Sequence, residues 1–158
     1  MEPLIPFEPI TANDIPGEGD WVFQVKWDGV RILVYKSGSA TEVINRHLNN
    51  RTLQYPELLN TGVYSNADSF ILDGEVIALV DGKPSFHQVM KRDRLRGRAK
   101  IEHMKEEIPI IYMVFVCLYV NGQSMLDKPL YKRQEMLRKI ITESEHVRIT
   151  ENFDEGEG

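Results

Sequence analysis

Asp-Gly or Asn-Gly pairs fall at positions 28–29, 73–74, 81–82 and 121–122 of this chain. Such pairs favour tight turns, because their residues reach left-handed backbone at little cost. The runs they flank are rich in β-branched and aromatic residues. Residues 21–26 alternate like a half-buried strand, residues 30–35 follow as a second, and Asp28-Gly29 between them predicts a hairpin. A turn at 36–39 leads to a third strand at 41–44. Residues 69–80 form a longer strand with Asp73-Gly74 inside it, and Asp81-Gly82 turns the chain after it. The apolar run 108–120 suits a central buried strand. Helical spacing is confined to short pieces at 55–59 and 86–90 and to a longer one after Asp127, a candidate N-cap. There Pro129 enters the first turn, and Leu130, Met136, Leu137, Ile140 and Ile141 share one face. Residues 147–149 form a last short strand, and the acidic, Gly-rich end has no closing element. The class this predicts is α+β, mostly antiparallel sheets with short helices.

The length of 158 residues suits one domain. Residues 1–20, rich in Pro, Gly and acids, form an extended lead-in, and 21–158 form the single domain. No apolar run is long enough to span a bilayer, and the N-terminus lacks the basic and apolar regions of a secretory signal. The lone Cys117 excludes an intramolecular disulfide and points to a reducing compartment, the cytoplasm. Four scattered histidines and one cysteine give no zinc-type spacing. The net charge of −5 is unusual for a chain that grips nucleic acid by itself, but it leaves room for a basic patch. Residues 91–100 are dense in Lys and Arg. With Asp93 interleaved, they are either a contact for DNA phosphates or a solvated loop.

The chemistry concentrates in Lys26-Trp27-Asp28-Gly29-Val30-Arg31. A lysine is nucleophilic only as the neutral amine, which is rare at neutral pH for a pKa of about 10.4. Neighbouring positive charge, such as Arg31 or a bound magnesium ion, favours loss of its proton. Such an amine can attack the α-phosphorus of ATP, giving a lysine–AMP phosphoramidate and pyrophosphate. Taken alone, the hexapeptide is equally a surface lysine beside an ordinary turn.

Its form, Lys-x-Asp-Gly-x-Arg, resembles the signature of the covalent nucleotidyltransferases: ATP-dependent DNA ligases, RNA ligases and capping guanylyltransferases. Further stretches resemble the same family in order. They are Ile44-Asn45-Arg46 with Asn49, Asn50 and Thr52; Tyr55-Pro56-Glu57-Leu58; Phe70-Ile71-Leu72-Asp73-Gly74-Glu75-Val76; Ser85 to Met90; Met113 to Leu118; and Leu130 to Leu137. The compact pattern is most similar to the adenylation domain of a bacterial ATP-dependent DNA ligase. That resemblance implies the nucleotidyltransferase fold, ATP as AMP donor, Mg2+, nicked double-stranded DNA as substrate, and no membrane.

It also implies roles. Lys26 accepts the adenylate. Gln24 stands where ligases often carry a Glu that reads the adenine. Arg31 and Arg46 contact the nucleotide, Glu75 contacts the ribose or helps hold the metal, and Phe115 stacks on the base. The residue types suit these roles, since arginine offers a fork of donors for phosphate and an aromatic face stacks on any base.

The pattern also departs from the family. Leu48 stands where Gly is common, and Val116 replaces an Asp. The family's later Glu-Gly-x-Val-x-Lys and Lys-x-Lys strands and its OB-fold domain have no counterpart before Gly158. The chain is therefore expected to be the front part of an adenylation domain, with the fold incomplete at its C-terminus and further ligase domains as partners. An RNA ligase, a capping guanylyltransferase, or a nucleotide-binding fragment without turnover are the alternatives.

Overall fold

A computed structural model of the protein describes residues 29–150 together with the backbone of Val22–Gln24 and Asn152–Asp154. The main sheet follows the β-rich runs. It comprises β2 (Val30–Ser37), β3 (Ala40–Asn45), β4 (Ser69–Val80), β5 (Lys83–Pro84), β6 (Ile110–Val120), β7 (Gln123–Ser124) and β8 (Val147–Ile149). Its order is β3-β2-β4-β6-β7, with β5 on β4 and β8 on β6. All pairings are antiparallel except β6 with β8. A separate two-stranded ladder joins β1 (Val22–Gln24) to β9 (Asn152–Asp154).

That ladder corrects two expectations. The hairpin expected through Asp28-Gly29 is not formed, because both edges of β2 are occupied, by β3 and β4, and β1 pairs with β9 instead. Residues 147–149 are not the last strand, because β9 follows them, and residues 155–158 of the acidic end lie outside the described residues. Gly29 packs closely against β4: a Cβ there would lie 2.1 Å from the Val76 carbonyl oxygen. The true turns carry left-handed residues, Gly38 after β2, Asp81-Gly82 after β4 and Asn121-Gly122 after β6.

The helices are α1 (Phe86–Asp93), α2 (Arg98–Glu107) and α3 (Leu130–Ile140), with single 3-10 turns at Pro56–Leu58 and Thr61–Val63. Ser85 caps α1 by accepting from the Gln88 backbone N–H. Asp127 does not cap α3. Pro129, in extended backbone, occupies the N-cap position, and the helix starts without a side-chain cap. Helix α2 has no counterpart among the expected elements. Its only fully buried side chain is Ile101, so it lacks an apolar stripe.

The sheet has two different faces. Ile32, Val34, Phe70, Leu72, Val76, Tyr112, Val114 and Cys117 form one, packed under the 3-10 turns, α1 and α3 through Leu58, Tyr64, Val89, Leu137 and Ile140. The other holds a smaller apolar cluster of Leu33, Tyr35, Ile44, Ile71, Val116 and Leu118. Arg31, Asp73 and Glu75 share this second face, because β2 and β4 alternate and pair Arg31 with Glu75 and Leu33 with Asp73.

Candidate active site

Arg31 reaches diagonally to the carboxylate of Asp73. Its Nε donates to Oδ1 at 3.1 Å and its Nη2 to Oδ2 at 2.6 Å, a two-point grip. Both side chains are largely buried. Burial works against the Arg31 charge, but the hydrogen bond and charge of Asp73, with Glu75 adding to them, hold its pKa above the usual value. Burial pushes the Asp73 carboxyl up, opposed by Arg31, by the charge of Arg133 on α3 and by the Gly74 backbone N–H. Arg31 Nη1 is buried and has no hydrogen-bond partner among the described residues. A buried donor left in that state costs about 1–3 kcal/mol.

Glu75 lies directly across from Arg31 and next to Met113 of β6, and it is half-buried. Phe115 reaches the same region through an irregularity. Between β4 and β6 the register slips twice, so that Asp73 faces Val116 while Gly74 faces Val114, and Phe115 is the bulged residue between them. Bulges re-aim a side chain next to the regular ladder. Phe115 is half-buried against the cluster of the second face. Gly74 makes the same crossing possible on the opposite face. A Cβ there would sit 2.4 Å from the Met113 carbonyl oxygen and 2.9 Å from the Tyr112 ring. Through that gap the Tyr112 hydroxyl donates toward the Ile32 and Leu72 carbonyls, at 3.1 and 3.2 Å.

Arg46 stands at the same end of the sheet. Asn45 pairs with Ile32, the neighbour of Arg31, and the chain then leaves β3. The departing loop is built on Asn45, whose Oδ1 accepts from the backbone N–H groups of His47 and Asn49 at 3.0 and 2.9 Å. Arg46 itself is exposed, with its Nε 3.5 Å from His47 Nε2. Leu48 holds a left-handed φ of 64°, which accounts physically for the glycine common at that place in the resembling family.

Arg31, Glu75 and Phe115 are thus brought to one face, with Arg46 at its edge. Lys26 and the side chain of Gln24 lie outside the described residues. Asp73, the partner of Arg31, is a site residue that the sequence reading lacks. A signal for it exists, because residues two apart on a strand share a face and Asp73 precedes Glu75 by two. Among the described residues no group of three or more His, Cys, Asp or Glu could hold a metal ion. Magnesium is commonly held by one or two carboxylates together with substrate phosphates. Asp73 is committed to Arg31, so Glu75 is the carboxylate here that fits such a role.

The mostly antiparallel sheet thus gathers an arginine, two carboxylates and an aromatic side chain on one face, and comparisons with known proteins name the family. The family described as ATP dependent DNA ligase domain matches residues 10–156. The chain belongs to that family. It is 35% identical over 138 residues to a DNA ligase of Thermococcus fumicolans, covering 85% of this chain and 24% of that protein. It is 31% identical over 153 residues to a DNA ligase of Methanothermobacter thermautotrophicus, covering 90% of this chain and 27% of that protein. The chain therefore spans about a quarter of the length of these curated relatives. Among solved structures, the ligase domain of LigD from M. tuberculosis matches with a TM-score of 0.64 and 28% identity over 84% of this chain and 40% of that one. A mycobacterial DNA ligase D complexed with ATP and MES shares the fold, with a TM-score of 0.60 and 24% identity, covering 84% of this chain and 40% of that one. No helix of the described residues is long and apolar enough to cross a membrane.

Proposed function

We propose that this chain is the front part of the adenylation domain of a DNA ligase that uses ATP and magnesium to charge Lys26 with AMP and then seals nicks in double-stranded DNA, in the cytoplasm. In the first step the neutral Lys26 amine forms a bond to the α-phosphorus, the bond from that phosphorus to the bridging oxygen of the β-phosphate breaks, and the amine proton is lost as pyrophosphate leaves. Arg31 and Arg46 hold the nucleotide's phosphates and ribose. Phe115 and Gln24 hold the base, and Glu75 accepts from the ribose or helps hold magnesium. The metal, when bound, neutralises the phosphates.

The observation that carries this reading is the Arg31 guanidinium. Asp73 fixes two of its nitrogens and so sets its direction, and the third is a buried donor without a partner among the described residues, beside Glu75. A bound nucleotide would satisfy that donor with the strength of a charge-assisted hydrogen bond. Positioning of this kind is where most of the rate of phosphoryl-transfer chemistry originates.

The test offers α-labelled ATP and α-labelled GTP to the protein in separate reactions, followed by a nicked DNA duplex or a nicked RNA duplex. Label retained from ATP alone, and discharged onto nicked DNA, supports the proposal. Label from GTP would make the protein a guanylyltransferase, and discharge onto RNA alone would make it an RNA ligase.

A further inference from the structure

The acid that would neutralise residues 91–100 is not on their surface. Asp93 is buried, accepting the Tyr55 hydroxyl at 2.7 Å and the Arg51 Nε at 3.2 Å. Lys91, Arg94, Arg96, Arg98 and Lys100 are all exposed, and no acidic side chain is exposed between them. Among the described residues none of the five takes part in an ion pair. On a chain of net charge −5, the elbow from the end of α1 to the start of α2 is thus a concentrated positive surface.

Helix stability accounts for Lys91 and Arg94, at the C-terminal end of α1, but not for Arg98 and Lys100. Positive side chains are favoured at a helix C-terminus and negative ones at its N-terminus. In α2 the order is reversed, with Arg98 and Lys100 opening the helix and Glu106 and Glu107 closing it. The elbow is also held firmly beside the loop that carries Arg46. Gln54 donates from Nε2 to the Leu95 carbonyl at 3.0 Å, Arg92 donates to the Gln54 carbonyl at 3.0 Å, and Arg51 and Tyr55 both bond Asp93. The cations are therefore held in place beside the loop that follows Arg46.

We propose that the α1–α2 elbow, through Lys91, Arg94, Arg96, Arg98 and Lys100, is a contact for the phosphates of duplex DNA that is independent of base sequence. It rests on the ligase reading in taking DNA as the partner. Phosphate contacts fix register and orientation without reading bases. In a nick-sealing enzyme they would hold the duplex while the loop carrying Arg46 meets the break.

The experiment measures binding of a fluorescein-labelled intact duplex by anisotropy between about 50 and about 200 mM salt, where phosphate contacts dominate the salt dependence. It compares the protein with an elbow variant (Arg94→Gln, Arg96→Gln, Arg98→Gln). A second variant (Lys132→Gln, Arg138→Gln, Lys139→Gln) makes the same charge change on the exposed side of α3. The elbow variant should lose at least about tenfold in affinity at low salt, and its slope of log K against log salt should shrink by about 2–3, near one unit per lost phosphate contact. The α3 variant should keep its slope. Equal losses in both variants, an unchanged slope in the elbow variant, or no duplex binding by the unaltered protein would each overturn the proposal. Adenylate uptake from ATP is measured on the same samples. Its absence from an unaltered protein that still shows elbow-dependent binding would sink the ligase reading and leave the surface standing.

Discussion

Arg92 is fully buried, and its guanidinium joins three parts of the chain. Nη2 and Nη1 grip Glu57 at 2.7 and 2.9 Å, and the same two nitrogens donate to the Gln54 and Ile108 carbonyls at 3.0 and 2.7 Å. The charge also lies 5.9 Å from the centre of the Tyr55 ring. Arg92→Met keeps much of the volume and removes every donor. It leaves the Glu57 carboxylate, 6% exposed, without its partner, and strands two buried carbonyls. Removing one side of a buried ion pair costs about 3–5 kcal/mol, mostly through the charge left behind. With a urea slope of about 2 kcal/mol per molar, the unfolding midpoint should fall by about 2 M, followed by far-UV circular dichroism. The double variant Arg92→Met with Glu57→Gln removes the stranded charge and should recover about 1–3 kcal/mol of that loss. A single-variant cost below about 1 kcal/mol, or a double variant no more stable than the single, would refute the reasoning. The first result would mean that the pair's own desolvation cancels its grip, and the second that the stranded Glu57 charge is not what costs stability.

Three further outcomes follow from local geometry. Leu48→Gly should raise stability by about 1 kcal/mol in thermal unfolding, because Leu48 is held at a φ of 64° and its side chain is half exposed. Gly74→Ala should cost about 3 kcal/mol in the same measurement, because the new Cβ meets the Met113 carbonyl oxygen and the Tyr112 ring in a packed crossing. Cys117 is buried, and burial pushes its thiol up to about 11. It should resist iodoacetamide in the native protein at neutral pH and react once urea unfolds the chain. The unfolded thiol ionises near about 8.5, so the folded state holds this proton longer, and the contribution of Cys117 to stability should decline as pH rises from there to about 11.

Much of the main sheet is legible in the sequence because strand residues alternate and turn glycines punctuate them. Residues 69–80 and the turns at 81–82 and 121–122 appear where the pattern puts them. Asp28-Gly29 misleads because the runs on either side of it pair elsewhere, β1 with β9 and β2 with β3 and β4, and local sequence does not show those partners. α2 is invisible because it buries little, and β9 because three residues, Asn152–Asp154, are too few to show a strand pattern of their own. At the site, the family resemblance points to Arg31, Glu75 and Phe115, and the sheet register brings them to one face. The Arg31–Asp73 grip and the bulge that presents Phe115 depend on pairing between strands far apart in the chain, which local periodicity does not encode. The burial of Asp93 is a tertiary fact of the same kind, and it changes the charge of the elbow surface.

Uptake of adenylate by Lys26 is the central claim, and intact mass tests it most directly. The protein and a Lys26→Ala variant are each incubated with ATP and magnesium, and their masses are compared. The protein should gain the mass of one AMP, released by acid as expected of a phosphoramidate, and the variant should gain nothing. A protein that gains no mass, or a variant that gains the same adenylate, would contradict the claim.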